Sequence, residues 1–205
     1  MSATPPGILL RPARPADAPA IAAIVAEALR DKYRPALGAA AERAAAALLL
    51  RDLREMPGSR HLVAELDGRV AGAAHVMFED DAGLGAVRAL AAEVGWPGAL
   101  RAVLVFSLLA HGRIGPDEAY IDELAVAPWA RRRGVARALL WRCEHEARAR
   151  GRARLTLLVT VTNDAARPLY ASAGFREVRR IRWLAGRLLF RAPGAILMER
   201  RLAPG

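Results

Sequence analysis

EAYIDELAVAPWARRRGVARALL, residues 118–140, reads as a strand, a tight turn and the opening of a helix. Tyr120 to Val126 is rich in strand formers, and Pro128 closes the run. Ala138, Leu139 and Leu140 then carry a helix. Between them stand Arg131, Arg132, Arg133, Gly134, Val135, Ala136 and Arg137. The first turn of a helix presents unpaired backbone N–H groups at the positive end of its dipole. Gly134 and Ala136 leave room for an anion to approach that backbone, and the arginines add fixed positive charge. A phosphate suits the junction. A solvated basic face is the other reading of the arginine run.

The loop is neither GxxxxGK[ST] nor GxGxxG, because Gly134 stands alone. Arg131-x-x-Gly134-x-Ala136 after the strand Ile121–Val126 resembles the acetyl-CoA pyrophosphate loop of the GNAT superfamily of N-acetyltransferases. Downstream, Asn163, Ala166, Leu169-Tyr170 and Gly174-Phe175 match that family's N-x-x-A-x-x-L-Y-x-x-x-G-F pattern. Two motifs in the right order are far more specific than either alone. The resemblance implies an α/β (α+β) GNAT fold. Its central sheet is mixed, mostly antiparallel, with six to seven strands and flanking helices. Residues 1–205 form one domain, with a helical insert before the fourth strand, about 83–116, and a second short insert, about 183–194.

The length of 205 residues agrees with one domain able to bury a large core. The net charge of +10 comes almost wholly from arginine, Lys32 being the only lysine. That charge invites an anionic cofactor, nucleic acid or acidic lipid, and equally a GC-rich coding bias. No helix-turn-helix, zinc-finger or RNP pattern accompanies it, so no nucleic acid is expected as partner. A single cysteine, Cys143, allows no intrachain disulfide or thiolate cluster. Ile8-Leu9-Leu10 is too short for a signal peptide, and Ala102 to Ala110 is too short to span a bilayer. A cytoplasmic protein without a transmembrane segment is the expectation.

Along the chain, Ile8 to Arg11 reads as a strand. Asp17 caps a helix whose Ile21, Ile24, Val25, Ala28 and Leu29 share a face, and Pro35 with Gly38 breaks it. Tyr33 and Arg34 fall in the linker, as acceptor contacts or as exposed loop. Ala39 to Glu55 is a second helix, ended by Pro57-Gly58. His61–Leu66 and Arg69–Phe78 flank Asp67-Gly68, a hairpin signal. In the insert, Leu84–Val94 and Pro97–His111 read as helices, the second with Leu100, Val103, Leu104, Ser107 and Leu108 on one face and Phe106 off it. Such a helix belongs in a core or homodimer contact, or lies over an apolar acceptor or membrane surface. Glu79-Asp80-Asp81 reads as a solvated strand end, and His61, His75 and His111 show no ligand spacing, so no metal is expected. Arg154 to Val161 is a buried strand, Asn163 caps a helix to Ala173, and Phe175–Arg182 and Ala195–Leu202 complete the sheet.

The resemblance implies acetyl-CoA as co-substrate and an amine as acceptor. Arg131–Arg137 would hold the pyrophosphate, and the backbone of Leu124, Ala125 and Val126 would pair with pantetheine. Asn163 would bond the same arm, or serve as a plain N-cap. Tyr170 resembles the general acid that protonates the departing thiolate; a core tyrosine is the other reading. The amine must lose a proton, and Glu123, Asp122 and Glu118 are the candidate bases, Glu123 preferred. Strand alternation puts Glu123 and Asp122 on opposite faces, unless a bulge intervenes. A non-catalytic sensor of CoA or acyl-CoA is the alternative function.

Overall fold

The structure, a computed structural model, describes residues 7–55, 59–79, 84–108, 112–182 and 193–203. The sequence expectations for Pro57-Gly58, Asp80-Asp81, His111 and most of the second insert lie outside these residues.

Strand β1 (Ile8–Pro12) leads into helices α1 (Ala18–Ala28), α2 (Arg30–Leu37) and α3 (Ala41–Glu55). The hairpin β2 (Ser59–Leu66) and β3 (Arg69–Met77) turns at Asp67-Gly68 as its sequence demands. Helix α4 (Leu84–Leu108) precedes β4 (Glu118–Val126), and α5 (Val135–Ala149) separates β4 from β5 (Arg154–Thr160). Helix α6 (Ala166–Ser172), β6 (Arg176–Arg182) and β7 (Gly194–Arg201) finish the chain. The seven strands run in the order β1-β2-β3-β4-β5-β7-β6, and only the β4–β5 pair is parallel. A helical crossover is what a parallel neighbour requires, and α5 supplies it. Val135, Leu139, Leu140, Cys143 and Ala147 of α5 are buried against the sheet. Cys143 is a small core residue whose thiol burial pushes well above its ordinary pKa.

One helical segment departs from the sequence reading, and the insert keeps its two helices on either side of a bend. Tyr33 and Arg34 are not in a linker: α2 continues through Pro35 and ends at Gly38. A proline there withholds a bond from Asp31 in the first turn, on the exposed side, so the short helix survives it. In α4 the helix bends where Gly95 takes φ 71°, ψ 166° just ahead of Pro97. Its second half buries Ala99, Ala102 and Val105, and Phe106 packs edge-on to Tyr33 with ring centroids 5.7 Å apart. Arg101 Nε donates to the Ala36 carbonyl at 3.1 Å. The insert therefore braces α2. Leu100 and Leu104 of the predicted stripe face the other way and are exposed, as is Trp96 beside them. A helix apolar on every side does not announce in sequence which side is covered.

Merged across the bend, Gly85–Ser107 is long and apolar enough to cross a membrane by length and composition, unlike the shorter run read from sequence. Because the stripe is exposed, Leu100→Glu with Leu104→Glu should leave the melting temperature nearly unchanged, within the small range of ordinary surface substitutions. If this face joins two copies, sedimentation of the double variant will show monomer where the parent chain shows dimer. A large drop in melting temperature would mean that the face is packed in the free chain.

Candidate functional site

Pairing between β4 and β5 stops at Ile121↔Leu157. Beyond it the two strands diverge, and a cavity of about 350 Å³ opens in the gap. Leu124, Ala125 and Val126 line it from β4, Leu158, Val159 and Thr160 from β5. On the other edge β4 is still paired with β3, from Leu124↔Ala74 to Val126↔Gly72. The edge of β4 facing the gap is thus open to a ligand that can hydrogen-bond like a strand.

The two sequence motifs meet at this cavity. Arg131 and Ala136 form one end, Asn163, Ala166, Leu169 and Tyr170 another wall. Gly134 sits at φ 83°, a left-handed turn that glycine adopts without strain, and starts α5. Arg132 is left-handed too, at φ 62°. The first bond inside α5 runs from the Ala138 N–H to the Gly134 carbonyl at 3.0 Å, so the N–H groups of Val135, Ala136 and Arg137 precede the helix ladder. An anion fits there. The other arginines stand outside the cavity lining: Arg133 reaches Asp67 at 3.3 Å, and Arg137 donates to the Ser172 hydroxyl at 3.4 Å. Val135 is core.

Asn163 Oδ1 accepts the Ala166 N–H at 3.0 Å, so it caps α6 and lines the cavity at once. Tyr170 is buried on α6 beside Phe175, with its ring in the cavity wall. Burial, with a smaller push from Cys143, raises its phenol to about 12. It stays protonated through the ordinary pH range, so its hydroxyl is available as a donor.

A bulge settles the carboxylates. Between His75↔Glu123 and Val76↔Ile121 the register slips by one, leaving Asp122 as the extra residue of β4. Asp122 and Glu123 therefore do not point to opposite faces; both meet α2. Lys32 Nζ donates to both Asp122 oxygens at 3.2 Å and lies 3.5 Å from Glu123 Oε1, while the Tyr33 hydroxyl donates to that same Glu123 oxygen. Glu123 thus has a lysine and a tyrosine as partners. Burial opposes charge on Asp122, yet Lys32, and after it His75, hold its carboxyl well below the usual range. Burial opposes charge on Lys32 as well, and Asp122 with Glu123 raises its pKa above the ordinary lysine value. Glu118, the third candidate base, is buried away from the cavity lining, accepting from Thr156 Oγ1 at 2.5 Å and facing Arg154 at 3.1 Å.

Sequence reasoning missed a row of groups crossing three strands. His61 of β2, His75 of β3 and Glu123 of β4 are successive cross-strand partners. The two imidazoles stack at 3.9 Å between centroids, and Asp52 of α3 lies 3.3 Å from His61 Nε2. No spacing rule links these residues.

A sequence model of the acetyltransferase (GNAT) family matches residues 26–175. An aminoglycoside N(6')-acetyltransferase type 1 from Klebsiella aerogenes is 39% identical over 64 residues, which span 31% of this chain and 42% of that relative, less than half its length. The structure of a GCN5-related N-acetyltransferase from Kribbella flavida superposes with a TM-score of 0.63 at 27% identity, covering 96% of this chain and 98% of the other. A ribosomal-protein-alanine N-acetyltransferase from Brucella melitensis gives a TM-score of 0.62 at 24% identity over 95% and 99%.

Proposed function

The chain belongs to the GNAT acetyltransferase family, and we propose that it is an acyl-CoA-dependent N-acetyltransferase that moves an acetyl group from acetyl-CoA directly to a primary amine, with Glu123 as base and Tyr170 as acid. The observation that carries this reading is the gap where β4 and β5 part, which brings Leu124–Val126, Arg131, Ala136, Asn163 and Tyr170 around one cavity. The N–H groups opening α5 would take the pyrophosphate, and the open edge of β4 the pantetheine arm. A backbone N–H near Val126 would polarise the thioester oxygen.

In the reaction the amine nitrogen forms a bond to the thioester carbon and the carbon–sulfur bond breaks. The amine proton goes to Glu123, and the thiolate is met by the Tyr170 hydroxyl. With its phenol raised to about 12, Tyr170 supports the sulfur through a hydrogen bond more than through full proton transfer. A thiol of ordinary acidity leaves readily as thiolate, so this contribution is modest.

The test is release of free CoA thiol from acetyl-CoA in the presence of primary amines, together with a rise in melting temperature on adding acetyl-CoA. A cofactor at a hundred times its Kd stabilises by about 2.7 kcal/mol. Neither thiol release nor a melting shift at millimolar acetyl-CoA would end this reading. Tyr170→Phe should lower kcat on the order of 10- to 100-fold with KM for acetyl-CoA nearly unchanged, because the hydroxyl acts in the transition state. Full kcat in that variant would leave Tyr170 as a packing residue.

A further inference from the structure

On the other side of Asp122 lies a second cavity of about 200 Å³, between α1, α3 and the face of β2–β4. Its chemistry is uneven. Ile21, Val25, Leu49 and Met77 give it apolar walls, while Asp52, His61, His75, Asp122 and Glu123 gather along the sheet. The three carboxylates touch two cations: Arg51 lies 3.4 Å from Asp52, and Lys32 holds Asp122 and Glu123. Three against two leaves one negative charge unmatched among these groups when both imidazoles are neutral. His75 is 7% exposed, its Nδ1 is 3.9 Å from Asp122, and its buried Nε2 has no hydrogen-bond partner among the described residues. A buried ring nitrogen without a partner is costly unless something fills the place.

Resting on the acetyl transfer proposed above, we propose that this cavity holds a second, non-reacting ammonium group of the acceptor, so that the substrate class is an alkyl diamine or a longer polyamine. One monocation supplies the missing charge, its N–H groups reach Asp52 and the His75 ring, and its methylenes lie on the apolar walls. The cavity shares Asp122 with the gap between β4 and β5. A chain anchored at one end here presents its other amine past Asp122, toward the gap between β4 and β5. His75 itself reports the missing charge. Burial works against its protonation, yet Asp122, with Glu123 and Asp52 behind it, raises its pKa above the ordinary histidine value. His61, desolvated and facing His75, goes the other way.

A metal ion is the rival occupant, since ligand atoms of Asp52, His61 and His75 lie within 4.8 Å of one another. The rings are nearly parallel, with an interplanar angle of 11°. Their nitrogen lone pairs lie in those two stacked planes, and one ion cannot lie in both.

The experiment compares α,ω-diamines of three to six carbons with monoamines of the same shape, such as 1,4-diaminobutane against n-pentylamine, at saturating acetyl-CoA. A charge-assisted contact in a buried site predicts a kcat/KM for the best diamine roughly 10- to 100-fold above its isostere. Asp52→Asn should pull that ratio toward one. The ratio is insensitive to general damage, which lowers both rates together. Turnover with equal kcat/KM for the two series overturns this proposal while leaving acetyl transfer standing. So does a wild-type preference that Asp52→Asn does not move. If none of these amines is acetylated, calorimetric titration of the CoA-bound protein decides: binding of a diamine without binding of its monoamine supports the site, and no heat from either refutes it. Stoichiometric Zn²⁺ binding that His75→Ala abolishes would give the cavity to a metal.

Discussion

Ala136→Glu is expected to leave the fold standing and to remove acetyl-CoA. Ala136 lies at the second position of α5 and lines the cofactor gap. A carboxylate in the first turn of a helix interacts favourably with the helix dipole, by about 0.3–1 kcal/mol at an exposed site. The melting temperature of the free protein should therefore stay level or rise slightly. The same carboxylate occupies the place of the pyrophosphate and repels it, with the unpaired N–H groups now turned to the new side chain. Affinity for acetyl-CoA should fall at least on the order of 100-fold, since several charge-assisted bonds are lost together. The expected signature is a full-height melting transition that acetyl-CoA no longer moves. Ala136→Gln separates bulk from charge and should bind better than the glutamate. Position 134 is the poorer test, because any side chain at φ 83° strains the backbone whether or not a phosphate binds there. Retained affinity in Ala136→Glu would place the pyrophosphate elsewhere.

Glu123→Gln should cost kcat/KM on the order of 10²–10³-fold at neutral pH. Gln keeps an acceptor for the Tyr33 hydroxyl and much the same volume, so the structure around it should persist. What it lacks is the capacity to take a proton. An alkylamine with a pKa near that of lysine, about 10.4, is protonated at neutral pH and cannot attack until it loses that proton. As pH rises, the free amine appears without help, and the need for a base fades. The deficit of the variant should therefore shrink toward high pH and be widest below the amine's own pKa. A deficit that is constant with pH would make Glu123 a binding group for the ammonium. Activity equal to wild type across the range would move the base to Asp122 or to water.

Much of this protein is local, and local features are legible. The strand–loop–helix at 118–140 announces itself because β-branched and aromatic residues, a proline and one glycine each have a position they must take. Asp67-Gly68 makes a hairpin for the same reason. Both motifs of the cofactor gap are contiguous in sequence, so their residues could be named beforehand. The acceptor side is different. With a tight turn pairing Leu66 with Arg69, the hairpin alone would set His61 opposite Ala74; the bulge after Ala64 advances the register by one and sets it opposite His75. A second bulge turns Asp122 and Glu123 to the same helix. A one-residue slip reverses the face of every side chain beyond it, and no periodicity in the sequence records it.

The sequence by itself determined the cofactor motifs, the hairpin, the crossover helix and hence the family fold, because each depends on residues within a few positions of one another. Only the tertiary structure decided the neighbours of Glu123, the row from His61 to Glu123 with Asp52 beside it, and which side of α4 is covered. Those outcomes depend on contacts such as Tyr33 with Glu123 and Phe106 with Tyr33, between segments far apart in the chain. The packing of α2 between α4 and the sheet creates them, and a helix apolar all round or a lysine beside a tyrosine carries no local mark of where it will be held.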